Sequence, residues 1–358
     1  MKCLGSEILS QVIVFSKYAN YREDLGRRET WDEIIDRNKQ MHLDKFPNIV
    51  DDIEWAYQFV YNKKVIPSAR SLQFSGKPIL KSNSRLYNCS YLPIDSVLAF
   101  PEIMFLLLCG SGVGYSVRQI HIDKLPAIRT PLTSRKHIIG DSMEGWADAV
   151  KALIKAYLNG SPLPKFNYED IRAKGIPLSS GGLAPGPEPL RIALEHIHSI
   201  LRSKKEGDKL TSLNCHDIAC FMANAVLAGG IRRAAMIVLF DIEDNEMLNC
   251  KSGPWWELNP QRARANNSVS LDPDTCSKAD FYYVWKRCQY SNAGEPGIYW
   301  NKSIDGSWGT NPCSEIALRS IEGVKGSGGQ TCNLCEINTT NIESQEDFNE
   351  RVKAAALI

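Results

Sequence analysis

Net charge is nearly absent from this sequence: the formal balance is +1 over 358 residues. No overall field therefore draws the chain to nucleic acid or to an anionic membrane. Long apolar runs are missing as well. The longest, near FPEIMFLLL (100–108), is far below the roughly 20 residues that span a bilayer. No basic stretch followed by an apolar one opens the chain, so no signal peptide is expected. There is no internal repeat and no low-complexity linker. Histidine is scarce, with 6 in all and none after His216. Cysteine is not scarce. There are 11, an odd count that would leave a thiol unpaired in a secreted protein. The expected compartment is a reducing cytosol, with most thiols acting as small buried hydrophobes and a few redox-active. With 43% hydrophobic and 23% charged residues the profile is that of a soluble globular protein, long enough for one large domain or two ordinary ones.

Along the chain, residues 5–62 read as helical. ETWDEIIDRNKQMHLDKF (29–46) and DIEWAYQFVYNKK (52–64) carry apolar residues at helical spacing. VIPSARSLQFSGKPI (65–79) is punctuated by Pro and Gly and reads as strand-like. LYNCSYLPI (86–94) is β-rich, PEIMFLLLCG (101–110) is a buried helix, and GSGVGYSVRQI (110–120) is a Gly-rich turn into a strand. DSMEGWADAVKALIKAYLNG (141–160) is an amphipathic helix, with Asp141 or Ser142 as N-cap and Gly160 as its stop. A Gly/Pro loop (176–190) leads into the helix RIALEHIHSILRSKK. The buried helix CHDIACFMANAVLAGG then precedes an apolar strand in IRRAAMIVLFD (231–241). FYYVWKRCQYSNAG leads into GIYWN, another short strand. Strands alternating with long helices predict α/β architecture with buried parallel strands.

Chemistry concentrates in TNPCSEIALRS (310–320). Asn311, Cys313 and Glu315 alternate around Pro312, so in an extended segment an amide, a thiol and a carboxylate would share one face. Pro312 argues against a helix there. The arrangement is either chance or a catalytic cysteine between two polar groups. A thiolate nucleophile needs a His or another cation to lower its pKa, and no His follows His216. A cysteine doing one-electron chemistry needs no such partner. Glu315 would then act as general base on a substrate hydroxyl, with Asn311 hydrogen-bonding it.

Cys332-x-x-Cys335 has the spacing of half a zinc knuckle, a redox pair, or simply buried thiols. A structural zinc site would want a second pair. Cys89 gains meaning only if it meets Cys332 across a sheet. GSGVGYS lacks the Gly-Lys-Ser/Thr of a Walker A loop. SSGGLAPGPEP (179–189) is a loop able to switch with a bound ligand. Arg232 and Arg233 either reach a phosphate or form a solvated corner.

Taken in order, PSARSLQFSGKPI, LYNCSYLP, GSGVGYSV, GDSMEGWADAVKALIKAY, FNYEDIRAKGIPLSSGGLAPGPEPL, CHDIACFMANAVLAGGIRRAAMIVLFD, NNSVSLD, GEPGIYWN, NPCSEI and CNLCEINTTNI cover residues 66–342 nearly without a gap. Together they resemble the catalytic subunit of ribonucleotide reductase. The nearest branch is the adenosylcobalamin-dependent (class II) one, of the monomeric ribonucleoside-triphosphate reductase type.

The resemblance implies an N-terminal helical region (1–64). The first half of a ten-stranded α/β barrel would follow (65–358), with effector-site helices at about 140–200 and a finger loop at about 305–320. It implies that Cys313 is the thiyl-radical cysteine taking the ribose 3′-hydrogen, that Glu315 takes the 3′-hydroxyl proton and that Asn311 binds the ribose hydroxyls. Cys89 and Cys332 would reduce the 2′-position and finish as a disulfide. Ser68, Asn88, Gly112 and Gly114 would line the substrate. Asp141, Ser142, Gly181, Gly182, Leu183 and Ala184 would meet the effector. No protein metal ligand is expected.

The implied cofactor is adenosylcobalamin, held largely by the missing half of the barrel. The implied partners are a ribonucleoside triphosphate or diphosphate, a deoxynucleotide or ATP effector and a thioredoxin-like reductant, with no direct nucleic acid and no membrane. The implied setting is the cytoplasm, bacterial or phage-encoded in a bacterial host.

Two features depart from the family pattern. EGVKGSGGQ (322–330) lengthens the exit from the finger loop, and Cys335 is an extra thiol expected to be inert. The final helix, SQEDFNERVKAAALI, carries no capping Gly, where family members continue with further strands, a phosphate loop and a reducing tail. The chain is accordingly expected to be one half of a split enzyme, completed by a C-terminal half as a separate chain. The alternative is a catalytically silent nucleotide-binding or regulatory fragment. A glycyl-radical enzyme on a related barrel is a third possibility, against which the presence of both Cys89 and Cys332 argues.

Overall fold

A computed structural model describes residues 4–177, 183–228, 235–302, 305–323 and 326–358. It divides into two compact units, Met1–Asn88 with Asn333–Ile358, and Cys89–Cys332.

The first unit is mainly helical. Thr30 and Glu33 form a reciprocal capping box that starts the helix Trp31–Lys45, satisfying two of its orphan N–H groups. That helix packs on Val50–Tyr61 through Ile34, Ile35, Ile53, Tyr57 and Val60. Residues 21–28 form a small two-stranded hairpin rather than helix. The expectation of strand across 65–79 is also corrected. Only Val65–Ile66 is strand, paired with Glu336–Ile337. Ala69–Phe74 and Lys77–Lys81 are helical. Two local features override the punctuated texture. The Ser68 hydroxyl accepts from Ser71 N at 3.0 Å as an N-cap, and Pro78 falls in the first helical turn, where no N–H is missed.

The helix Gln345–Leu357 is tied down by Arg351, whose side chain is 1% exposed. Its guanidinium donates to the carbonyl oxygens of Asn338, Thr340 and Asn341 and to Asp347. Arg351→Met keeps the stem but leaves these carbonyls unpaired. The expected cost is about 3 kcal/mol, since each buried unsatisfied acceptor costs roughly 1–3 kcal/mol. A denaturant melt of the variant, with an unchanged midpoint as the contrary result, checks this.

The second unit contains β1 (Cys89–Pro93), β2 (Gly112–Ser116), β3 (Met236–Phe240), β4 (Ala265–Leu271), β5 (Gly297–Trp300), β6 (Trp308–Thr310), β7 (Ala317–Arg319) and β8 (Gln330–Cys332). One sheet runs β5-β4-β3-β2-β1-β8. All its neighbours are parallel except β8, which is antiparallel to β1. The expected α/β architecture with buried, mostly parallel strands is borne out. Side chains alternate across the sheet. Leu92, Val113, Tyr115, Met236, Val238 and Phe240 face the large core, shared with the helices Ala99–Leu108, Met143–Leu158, Glu188–Arg202 and Ser212–Ala228. Cys89, Tyr91, Ile237 and Leu239 face the other way, toward Ile316 and Leu318 around the β6–β7 hairpin. Both faces are covered, as parallel sheets require. Ile321–Gly323 and Gly326–Gly328, within the lengthened exit, pair as a short antiparallel ladder.

Among the described residues no helix is long and apolar enough to cross a membrane, and no cluster of three or more His, Cys, Asp or Glu is placed to hold a metal ion.

Candidate active site

Cys313 lies at the tip of the β6–β7 hairpin. Its surroundings correct the expectation of one extended face. Ser314 N donates to Asn311 O at 2.9 Å, and Ser314 has φ 65°, so the chain reverses through Pro312–Ser314. Asn311 is therefore wholly buried, while Cys313 and Glu315 are exposed. The Asn311 side-chain oxygen accepts from Ile316 N at 3.1 Å. Its Nδ2 is buried with no hydrogen-bond partner among the described residues. An unpaired buried donor costs about 1–3 kcal/mol, and a ligand oxygen would satisfy it.

Below the hairpin, Cys332 on β8 is the direct register partner of Cys89 on β1. Directly opposed residues of an antiparallel pair have Cα atoms about 4.5–5.5 Å apart, inside the usual range for a disulfide. Both cysteines are buried and reduced. Their mutual hydrogen bond first, then burial and the neighbouring charges of Cys89 and Glu315, push the Cys332 thiol well above the ordinary thiol range. It is therefore protonated at neutral pH, a store of hydrogen rather than a thiolate.

Gly112 continues this row, as the β2 register partner of Cys89. Gly112 and Gly114 lie in β2 and Gly110 in the turn before it, so the expected Gly-rich turn into a strand is borne out. A Cβ on Gly112 would lie 3.1 Å from Pro312 Cγ and 3.5 Å from Cys89 Sγ. A Cβ on Gly114 would lie 1.8 Å from Thr310 O. These two positions let the hairpin's backbone descend onto the sheet. The sequence pattern missed that role, and missed Thr310, whose hydroxyl donates to Ile316 O at 3.0 Å across the base of the loop. A Thr immediately before Asn-Pro was the only local signal.

Ser68 and Asn88 belong to the first unit. There the Ser68 hydroxyl caps a helix, its backbone hydrogen-bonds the half-buried Cys335 thiol, and Asn88 Oδ1 accepts from Leu334 N at 3.4 Å. Burial raises the Cys335 pKa. Ser142 accepts from Gly145 N at 3.0 Å and is the N-cap of Met143–Leu158. Asp141 pairs with Arg172 Nε at 2.6 Å. Ala184 is buried, Leu183 is exposed, and Ala184 N donates to Ile176 O at 2.8 Å at the neck of the loop. Gly181, Gly182, Arg232 and Arg233 lie outside the described residues.

The architecture has a close counterpart among solved structures. It superposes on a B12-dependent (class II) ribonucleotide reductase with a TM-score of 0.76, covering 96% of this chain and 58% of that one at 23% identity. The chain thus has the fold of that class of reductase. It is also similar in sequence to proteins named adenosylcobalamin-dependent ribonucleoside-triphosphate reductase. The one from Euglena gracilis is 28% identical over 99% of this chain and 51% of that protein. The one from Levilactobacillus brevis is 26% identical over 92% of this chain and 54% of that protein. The resemblance drawn from the motifs is borne out, and the chain spans about half the length of these relatives. No protein-family model matches it.

Proposed function

We propose that this chain carries the radical-bearing half of a ribonucleotide reductase active site, acting on a ribonucleoside triphosphate or diphosphate. The observation that carries the reading is one arrangement: an exposed cysteine at a hairpin tip, above a register-paired, buried and reduced cysteine pair. The buried Asn311 Nδ2, without a hydrogen-bond partner among the described residues, suits a sugar hydroxyl.

Adenosylcobalamin, when bound, supplies a one-electron radical source. The group of this chain that fits it is the exposed Cys313 thiol, and most of the cofactor's surface lies in the other half. With Cys313 as a thiyl radical, the 3′-hydrogen atom of the ribose moves to its Sγ, leaving a carbon radical at C3′. Glu315 takes the 3′-hydroxyl proton, and Asn311 holds the hydroxyl. Cys89 donates a proton to the 2′-hydroxyl, which leaves as water. The two thiols together give up two electrons and two protons and become the Cys89–Cys332 disulfide; one proton leaves in the water, and the other with the two electrons becomes the new C2′–H bond. Glu315 returns its proton to the 3′-oxygen, and the hydrogen kept at Cys313 returns to C3′, leaving Cys313 a radical again. A thioredoxin-like reductant resets the pair. A deoxynucleotide or ATP effector acts through residues 140–190, around Asp141, Ser142 and the loop that holds Gly181, Gly182, Leu183 and Ala184.

The remaining half of the relatives' length, which this chain does not span, is proposed to act as a second polypeptide. Within the second unit β5 is a sheet edge with no strand paired to its outer side among the described residues, and Trp300 on it is half exposed. Such an edge calls for cover. The test is deoxynucleotide formation with adenosylcobalamin and a dithiol, with this chain alone and with that second polypeptide. Product is expected only from the mixture. After one turnover without reductant, mass spectrometry should find a Cys89–Cys332 disulfide. A Cys332–Cys335 bridge would remove Cys89 from its role. Turnover by the chain alone would overturn the two-part reading, and none from the mixture would overturn the activity.

A further inference from the structure

One buried histidine of the second unit has no part in the chemistry above. His121 lies in the short helix Gln119–Ile122, directly after β2, and is 4% exposed. Burial, aided by Arg118 and Lys124 and opposed by Asp95 and the Gly306 carbonyl, lowers its pKa to about 4. The ring is therefore neutral at pH 7, with one nitrogen donating and the other accepting. His121 Nε2 lies 3.1 Å from Gly306 O, which can only accept, so Nε2 carries the proton. Nδ1 then accepts from the Ser116 hydroxyl at 2.8 Å. Ser116 is the last residue of β2, on the same face as Gly112 and Gly114.

Gly306 lies just ahead of β6, at the base of the hairpin that ends in Cys313. It is buried, with φ 72°, and a Cβ there would lie 2.7 Å from His121 Nε2. The site thus asks for glycine twice, once for the left-handed backbone and once to admit the imidazole. Among the described residues, further ties at the base of the hairpin come from nearby sequence: Tyr299 Oη to Gly309 O, Asn301 Nδ2 to Trp308 O, and Ser320 N to Ser307 O. His121 adds a tie from a residue 185 positions away in the chain, on the face of the sheet that carries Gly112 and Gly114. Its own helix is fastened to the residue after β3, because Arg118 Nε and Gln119 N both reach the Asp241 carboxylate at 2.7 Å.

We propose that His121 is a positioning residue for Cys313, its imidazole bracing the base of the hairpin, at Gly306, against the strand that carries Gly112 and Gly114. The proposal rests on the functional reading above only for its effect on turnover. The bracing itself is independent of it.

Two polar substitutions separate the ring's two bonds. In His121→Gln the side-chain amide nitrogen takes the place of Nε2 and keeps the bond to Gly306. In His121→Asn the side-chain amide oxygen takes the place of Nδ1 and accepts from Ser116, while the Gly306 carbonyl loses its donor. The first measurement is the rate of Cys313 alkylation by iodoacetamide, followed by mass spectrometry with Cys276 as internal reference. His121→Asn is expected to change the Cys313 rate by about threefold or more, since thiol reactivity follows local environment, and His121→Gln by less than about 1.5-fold. Gly306→Ala, which pushes a methyl group into the imidazole, should match His121→Asn. The second measurement is turnover of the two-part enzyme. His121→Asn should lower kcat by roughly 100-fold with KM within about twofold, the scale of a 1 Å misplacement, and His121→Gln should recover most of it. If both variants label Cys313 at the wild-type rate, or if Asn and Gln alter it equally, His121 does not position the hairpin. If labelling separates them while even the wild type makes no deoxynucleotide, the bracing stands and the functional reading falls.

Discussion

Cys313→Ser is expected to abolish deoxynucleotide formation while leaving the fold and nucleotide binding intact. Cys313 is exposed at a hairpin tip, so the change removes no packed atoms, and surface substitutions of this kind usually stay within about 0.5 kcal/mol. Chemically it removes everything. An alcohol O–H bond is much stronger than a thiol S–H bond, so a serine cannot exchange a hydrogen atom with the ribose through a radical. Turnover should fall by at least about 10⁴-fold, as when the reacting group of other enzymes is deleted. Product assays and equilibrium dialysis, run side by side on the two-part enzyme, check both halves of the expectation. Residual turnover well above background would take Cys313 out of the chemistry. Lost nucleotide binding would make it a structural residue instead.

Gly114→Ala should also cost function, through geometry alone. The new methyl carbon would stand 1.8 Å from Thr310 O, a backbone atom that cannot rotate aside. Either the hairpin lifts or β2 shifts. Overpacking of this kind costs about 3 kcal/mol, and the tip residues move with the hairpin. The control is Gly112→Ala, where the nearest atom is the Pro312 ring at 3.1 Å, which can give by a few tenths of an ångström. A graded result is expected. Gly114→Ala should drop the melting temperature by several degrees and kcat by about 100-fold or more, with Gly112→Ala much milder. Equal effects at the two positions would mean that the glycines serve strand pairing or the substrate rather than the approach of the hairpin.

Much of this was legible in the residues. Helices were marked by apolar spacing and by a cap such as Ser142, because a helix closes its hydrogen bonds within one segment. Buried strands showed as short apolar runs such as MIVLF. The chemistry of NPCSE and of two distant cysteines was visible as residue types in order. Where local signals conflicted, as in PSARSLQFSGKPI, a single cap and a tolerated proline decided for helix against the texture of the stretch.

Tertiary structure decided what depends on distance across the fold. That Cys89 faces Cys332 is a matter of strand register, which no local pattern contains. That Gly112 and Gly114 make room for another backbone is known only once Pro312 and Thr310 arrive above them. The reversal at Ser314 buried Asn311 and exposed Cys313 and Glu315, where alternation alone would have kept the three together. His121 drew no notice in the sequence, because its partner is the carbonyl of a glycine 185 residues away. Residue types and local helical order follow from neighbours in the chain. Register, close approach and burial follow from which segments the sheet brings together, and the arrangement around Cys313 is of that second kind.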